Sequence, residues 1–246
     1  MKALRSILFV IWMYGWMAIL GILCLPTLLL PRIVTLLCIR SYVRLMLFGL
    51  RWLCGISVEL RGREHVSGGP QLIAGKHQAM LDVFMPFLFF RDPVLVMKRE
   101  LLWYPVLGWY ALKTGQLPID RSGGAQTMRK MLDVARRVIA ERGGRQLVIY
   151  PEGTRSAPGA DPDYKPAGIR AFYKALELPI YPLATNAGQC WPARGFVRTP
   201  GHVVYELRPP LPEGLPPKDM VKRLQTELES ASTQLLVENQ GIAKTI

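Results

Sequence analysis

The run KHQAMLD sets His77 five residues ahead of Asp82. Histidine is the side chain best suited to moving a proton near neutral pH, and a carboxylate beside it fixes its tautomer and orientation. The offset matters, because five helical residues turn through about 500° and send two side chains to different faces. The pair cooperates only if His77 ends a loop and Asp82 lies in the first turn after it, reaching back. The other reading is a helix-entry histidine bonded to backbone alone. His65 and His202 are the remaining histidines. Neither has an acid at orienting distance in sequence, although Glu64 adjoins His65.

A second constellation, Tyr150-Pro151-Glu152-Gly153-Thr154-Arg155, follows the apolar run QLVIY. Such a turn offers backbone N–H groups, a flexible glycine and a guanidinium that can grip phosphate with two parallel bonds. It also fits an ordinary strand exit with a solvated Glu–Arg pair. A third, GQLPIDR, ends at Arg121, which either binds phosphate or pairs with Asp120. The fourth, LPIYPL, carries no reactive group. Proline is tolerated at strand ends, edges and bulges, so this strand is expected at a rim or beside a cleft. No nucleophile elbow, Walker loop, dinucleotide fingerprint or zincin motif is present. The four cysteines include no CxxC pair, so no metal site, no cofactor and no disulfide framework is implied.

Around these motifs, short apolar runs alternate with helical patterns past residue 55, which points to an α/β domain with a mixed sheet flanked by helices. Strands are expected near 57–60, 71–74, 94–97, 116–119, 146–150, 180–185 and 203–207. Helices are expected near 81–90, 101–113, 125–141, 167–176 and 218–238, with Pro86 in conflict with a regular first helix. The motifs then fall at strand ends, where α/β folds place their chemistry.

From Ser6 to Pro31 no side chain is charged, a run longer than the roughly 20 residues that cross a bilayer as a helix. Residues 1–54 are therefore read as membrane-anchoring helices and 55–246 as the α/β domain. Pro26 and Pro31 allow the helices to dip into one leaflet and return. Arg40, Arg44 and Arg51 lie within about 40° of one another on a helical projection, as in a helix lying among anionic headgroups. The net charge of +13 suits an anionic membrane or phosphorylated substrates. No nucleic-acid-binding motif accompanies it.

Taken in order, the blocks resemble the glycerolipid acyltransferase family, in particular the bacterial lysophosphatidic acid acyltransferases. KHQAMLD is similar to the family's H-x4-D block, GQLPIDR to its glycine-to-arginine block, YPEGTRS to its E-G-T-R block and LPIYPLA to its proline block. The resemblance spans about residues 55–240 and includes Lys98 and Glu100 between the first two blocks. It implies a membrane-bound enzyme of phospholipid biosynthesis on the cytoplasmic face of a bacterial inner membrane. The enzyme would move an acyl chain from acyl-CoA or acyl-carrier protein to the sn-2 hydroxyl of lysophosphatidic acid. His77 is then the general base and Asp82 its orienting partner. Arg121, Glu152, Gly153, Thr154, Arg155 and Lys98 are then acceptor-binding residues. Lys76 departs from the Asn or Ser common before the histidine, and is read as charge beside the base or as a phosphate ligand. Rival readings are acylation of another lysolipid of ornithine type, phospholipid transacylation, and a catalytically silent lipid-binding protein.

Overall fold

The computed structural model describes residues 1–120, 124–141, 143–160, 162 and 164–243, so Arg121 lies outside the described residues. Strand β2 (Gln71–Gly75) is buried along its whole length. Leu72 and Ala74 enter one buried cluster and Ile73 enters another. A strand covered on both faces is what a central position in a parallel sheet requires. Its companions are β1 (Ile56–Arg61), β3 (Pro93–Lys98), β4 (Leu117–Ile119), β5 (Gln146–Ile149), β6 (Ile180–Thr185) and β7 (Gly201–Leu207). They form a seven-stranded sheet in the order β1-β7-β6-β2-β5-β3-β4. Neighbours run parallel except β6 and β7. The sheet is mixed, as expected.

Two long apolar helices precede it, α1 (Lys2–Leu23) and α2 (Arg32–Cys54), joined by a 3₁₀ turn at Leu25–Leu29. Both are long and apolar enough to cross a membrane, with mean hydropathies of 2.1 and 1.7, and they suggest membrane association. They pack on each other at Gly49, where an added Cβ would lie 2.3 Å from the Trp12 ring. The Trp12 indole N–H crosses to the Leu45 carbonyl at 2.9 Å. Phe9 and Met13 of α1 and Leu36, Met46 and Leu50 of α2 share one buried cluster with Ile73, Val148 and Tyr205 of the sheet. The other face carries α5 (Ala125–Ala140), α6 (Pro166–Leu176) and α7 (Pro217–Ala243), whose apolar sides bury Leu72, Ala74, Leu147 and Ile149.

Three expectations need correction. The helix expected at 81–90 is a 3₁₀ turn, Met80–Val83, followed by the short α3, Pro86–Phe89. Pro86 opens α3, where its missing N–H costs nothing. The helix expected at 101–113 is likewise a 3₁₀ turn, Arg99–Trp103, and then α4, Leu107–Lys113. Pro105 and the positive φ of 67° at Val106 break it. Strand β6, expected at a rim or beside a cleft, is not at a rim: it lies between β2 and β7, next to the strand that leads to His77. Pro182 is accommodated because the β6–β7 ladder begins only at Leu183, while the Pro182 carbonyl accepts the Arg208 N–H. Of the arginine stripe, Arg44 and Arg51 are exposed. Arg40 turns inward and donates to the carbonyls of Phe87, Phe90 and Arg91 at the end of α3.

Candidate active site

His77 sits on the loop that leaves β2, and Asp82 is the third residue of the 3₁₀ turn that follows. Asp82 reaches back, and its Oδ2 lies 2.9 Å from His77 Nδ1. The same oxygen accepts the Gln78 and Ala79 N–H groups at 2.6 and 2.8 Å. Its Oδ1 accepts the Tyr205 hydroxyl at 2.6 Å. Donors on both oxygens leave this carboxylate, 1 % exposed, no freedom to rotate. With Nδ1 committed to Asp82, Nε2 is the ring nitrogen left to take a proton. Tyr150 stacks on the imidazole at 4.5 Å between ring centroids. Its hydroxyl donates to the Asp82 carbonyl at 2.6 Å. Burial pushes both tyrosine hydroxyls well above their ordinary pKa, with the Asp82 charge adding to the rise, so they stay donors.

Strand β5 runs parallel beside β2, which brings the Glu152–Arg155 turn to the same end of the sheet. The turn closes with Gly153 N–H on the Tyr150 carbonyl at 3.0 Å. Gly153 has φ +67°, a conformation that a side chain would strain. The turn then grips the His77 peptide from both sides. Glu152 Oε1 accepts the His77 N–H at 2.8 Å, and Ser156 N–H donates to the His77 carbonyl at 2.8 Å. Thr154 and Arg155, between these two anchors, are exposed.

Glu152 was expected to touch the acceptor. In the structure it is 1 % exposed and bonded to the loop. Burial raises its pKa, opposed first by the His77 N–H and then by Lys76. Lys76 was expected beside the base or at a substrate phosphate. Strand alternation carries it to the other face of the sheet, where Nζ meets Glu229 Oε1 of α7 at 2.6 Å.

Lys98 ends β3, two strand spacings (roughly 10 Å) from the strand that leads to His77, and it is exposed. The turn after β4 is the next along, with Asp120 3.4 Å from Arg99. His77, Glu152, Thr154, Arg155 and Lys98 therefore gather at one end of three adjacent parallel strands, β2, β5 and β3. Tyr205 and Tyr150 were not singled out as site residues. Tyr150 could have been found, since it ends the strand that precedes the turn. Tyr205 lies 123 residues from its partner, and nothing in the sequence announces it.

The other histidines sit elsewhere. His202 has an acid after all, Glu59 of β1, with Nε2 2.8 Å from Oε2, but alternation on β7 turns it away from Tyr205. His65 lies 3.8 Å from Glu64. Among the described residues, no group of three or more His, Cys, Asp or Glu side chains could hold a metal.

The Acyltransferase family profile matches residues 57–186. The chain is 29 % identical over 209 residues to a 1-acyl-sn-glycerol-3-phosphate acyltransferase of Pseudomonas aeruginosa, covering 85 % of this chain and 80 % of that protein. It is 31 % identical over 213 residues to the alpha form of the enzyme of that name from Homo sapiens, covering 84 % and 72 %. Its fold is similar to the crystal structure of the 1-acyl-sn-glycerophosphate acyltransferase of Thermotoga maritima. That match has a TM-score of 0.77 and 20 % identity, covering 96 % of this chain and 98 % of the other.

Proposed function

The chain belongs to the acyltransferase family, and on that premise we propose that it acylates the sn-2 hydroxyl of 1-acyl-glycerol-3-phosphate to give phosphatidic acid. The donor is a thioester, acyl-CoA or acyl-carrier protein. The observation that carries the reading is the His77–Asp82 pair, held by four donors to Asp82 and by the clamp on the His77 peptide. Nε2 of His77 takes the proton as the hydroxyl oxygen attacks the thioester carbonyl, and Asp82 steadies the imidazolium that forms. The tetrahedral intermediate then collapses, the C–S bond breaks, and the thiolate leaves with the proton that His77 held. No acyl-enzyme is needed, because the substrate supplies the hydroxyl.

Arg155 is the acceptor's phosphate ligand, with Lys98 as a further cation at the same end of the sheet and Thr154 beside Arg155; Arg121 joins them as a binding residue on its sequence motif alone. Glu152 and Gly153 shape the turn that presents Arg155. The apolar helices α1 and α2 bring the domain to the bilayer, on the cytoplasmic face of a bacterial inner membrane. The four unpaired cysteines suit that reducing compartment.

The test is an assay of the purified protein against a panel of lysolipids with acyl-CoA and with acyl-carrier protein. The expected preferred acceptor is lysophosphatidic acid. Preference for an ornithine-type lysolipid, or transfer from a phospholipid without any thioester, would overturn the assignment. Arg155→Ala is expected to raise the acceptor KM by about tenfold or more. An unchanged KM with a collapsed kcat would contradict its binding role.

A further inference from the structure

Lys76 continues the face of β2 that carries Leu72 and Ala74, the face that α7 covers, so its side chain points to α7 while His77 turns the other way. It is a cation only 2 % exposed. Its Nζ lies 2.6 Å from Glu229 Oε1 and 3.6 Å from Glu152 Oε1. Each of those oxygens has a second duty. Glu229 Oε1 accepts the Tyr164 hydroxyl at 2.9 Å, and Glu152 Oε1 accepts the His77 N–H at 2.8 Å. A continuous chain of polar contacts thus runs from α7 to the peptide of His77.

We propose that Lys76 and Glu229 are positioning residues, which act through Glu152 to hold the His77 loop and so tie α7 into the site. The proposal rests on His77 being the base. Stability does not account for the arrangement, because buried ion sets seldom outdo apolar packing of the same volume. What they supply is fixed geometry. Burial favours a neutral Glu152 carboxyl, and the His77 N–H first and Lys76 next oppose that. An ionised carboxylate is the stronger acceptor for the His77 N–H. Removing the cation therefore slackens the bond that sets the loop, and a base displaced by a fraction of an ångström loses rate.

The experiment is steady-state kinetics on the full chain with lysophosphatidic acid and an acyl-CoA or acyl-carrier protein donor, alongside thermal melts. The variants are Lys76→Met, Glu229→Gln and both together. Lys76→Met is expected to lower kcat by about 10- to 100-fold, and Glu229→Gln by about 3- to 10-fold. Both KM values should stay within about twofold of wild type. The double variant carries no uncompensated buried cation. It should melt close to wild type and yet be no slower than Lys76→Met alone, since both changes break one chain of contacts. A folded double variant with kcat within about twofold of wild type would overturn the proposal. So would losses that multiply in the double variant, or an acceptor KM that rises while kcat holds. If Lys76→Met does not fold, Glu229→Gln decides alone, because Glu229 is partly exposed. In a parallel arm, His77→Ala with wild-type turnover would sink the base assignment instead, which separates the two failures.

Discussion

Asp82 is the most constrained residue of the site. It spends both carboxylate oxygens on orientation: one on His77 and the two amides of its own loop, the other on Tyr205. Removing the Tyr205 hydroxyl frees one side of the carboxylate without touching substrate. Tyr205→Phe should therefore lower kcat about 3- to 10-fold and leave both KM values alone. Steady-state kinetics would show it, and an unchanged kcat would mean that the backbone donors suffice. The pairing of His77 with Asp82 was legible in the sequence, because the five-residue offset admits only a loop-then-turn arrangement. The buttress was not, since Tyr205 arrives from β7 by the sheet's topology. The direction of Lys76 was legible in principle. Strand alternation puts Lys76 and His77 on opposite faces, and proximity in sequence suggested the reverse. The bond from the His77 N–H to Glu152 was not legible, because turn chemistry does not say which way a carboxylate faces.

At the scale of elements, the central strands were readable because apolar runs buried on both faces leave little alternative. The helices around the site were not, because Pro86 and Val106 divide them for local reasons that a hydrophobic pattern averages over. The prolines pointed to a rim or a cleft for β6, and a ladder that starts one residue later admits the strand inside the sheet. Helix α1 presents Leu4, Ile11 and Ile22 along one side, each more than 60 % exposed, while Phe9 and Met13 face the core. An outer stripe of this kind is the surface that would meet lipid acyl chains. Ile11→Glu should weaken partition onto anionic vesicles by about tenfold or more. Turnover of acceptor dispersed in detergent should be retained. Vesicle sedimentation makes the comparison, and unchanged partition would place the membrane contact elsewhere.

For the molecule as a whole, the sheet puts the base and its cationic neighbours at the end of one group of parallel strands, while β1 and β7 close the far side. Hydrogen bonds from Arg61 and then His202 hold the Glu59 carboxyl there down to about 2, from an ordinary 4.5. A depressed carboxyl stabilises the fold above its ordinary pKa and loses that contribution as pH falls toward 2. Glu59 is 42 % exposed, so solvent keeps the contribution below about 1 kcal/mol. Glu59→Gln should thus melt slightly lower than wild type at pH 7, with the gap closing in acid. A gap that widened in acid would contradict the sign. The excess of basic residues completes the picture, since a lipid with an anionic headgroup is drawn to a basic protein at low salt. The most direct measurement of the central claim is product analysis with purified wild-type protein and His77→Ala, each given 1-acyl-glycerol-3-phosphate and a labelled acyl thioester. The predicted result is label at the sn-2 position of phosphatidic acid from wild type, and turnover lower by about 10²- to 10⁴-fold in His77→Ala with vesicle binding unchanged. Labelled phosphatidic acid formed by His77→Ala at the wild-type rate would contradict it.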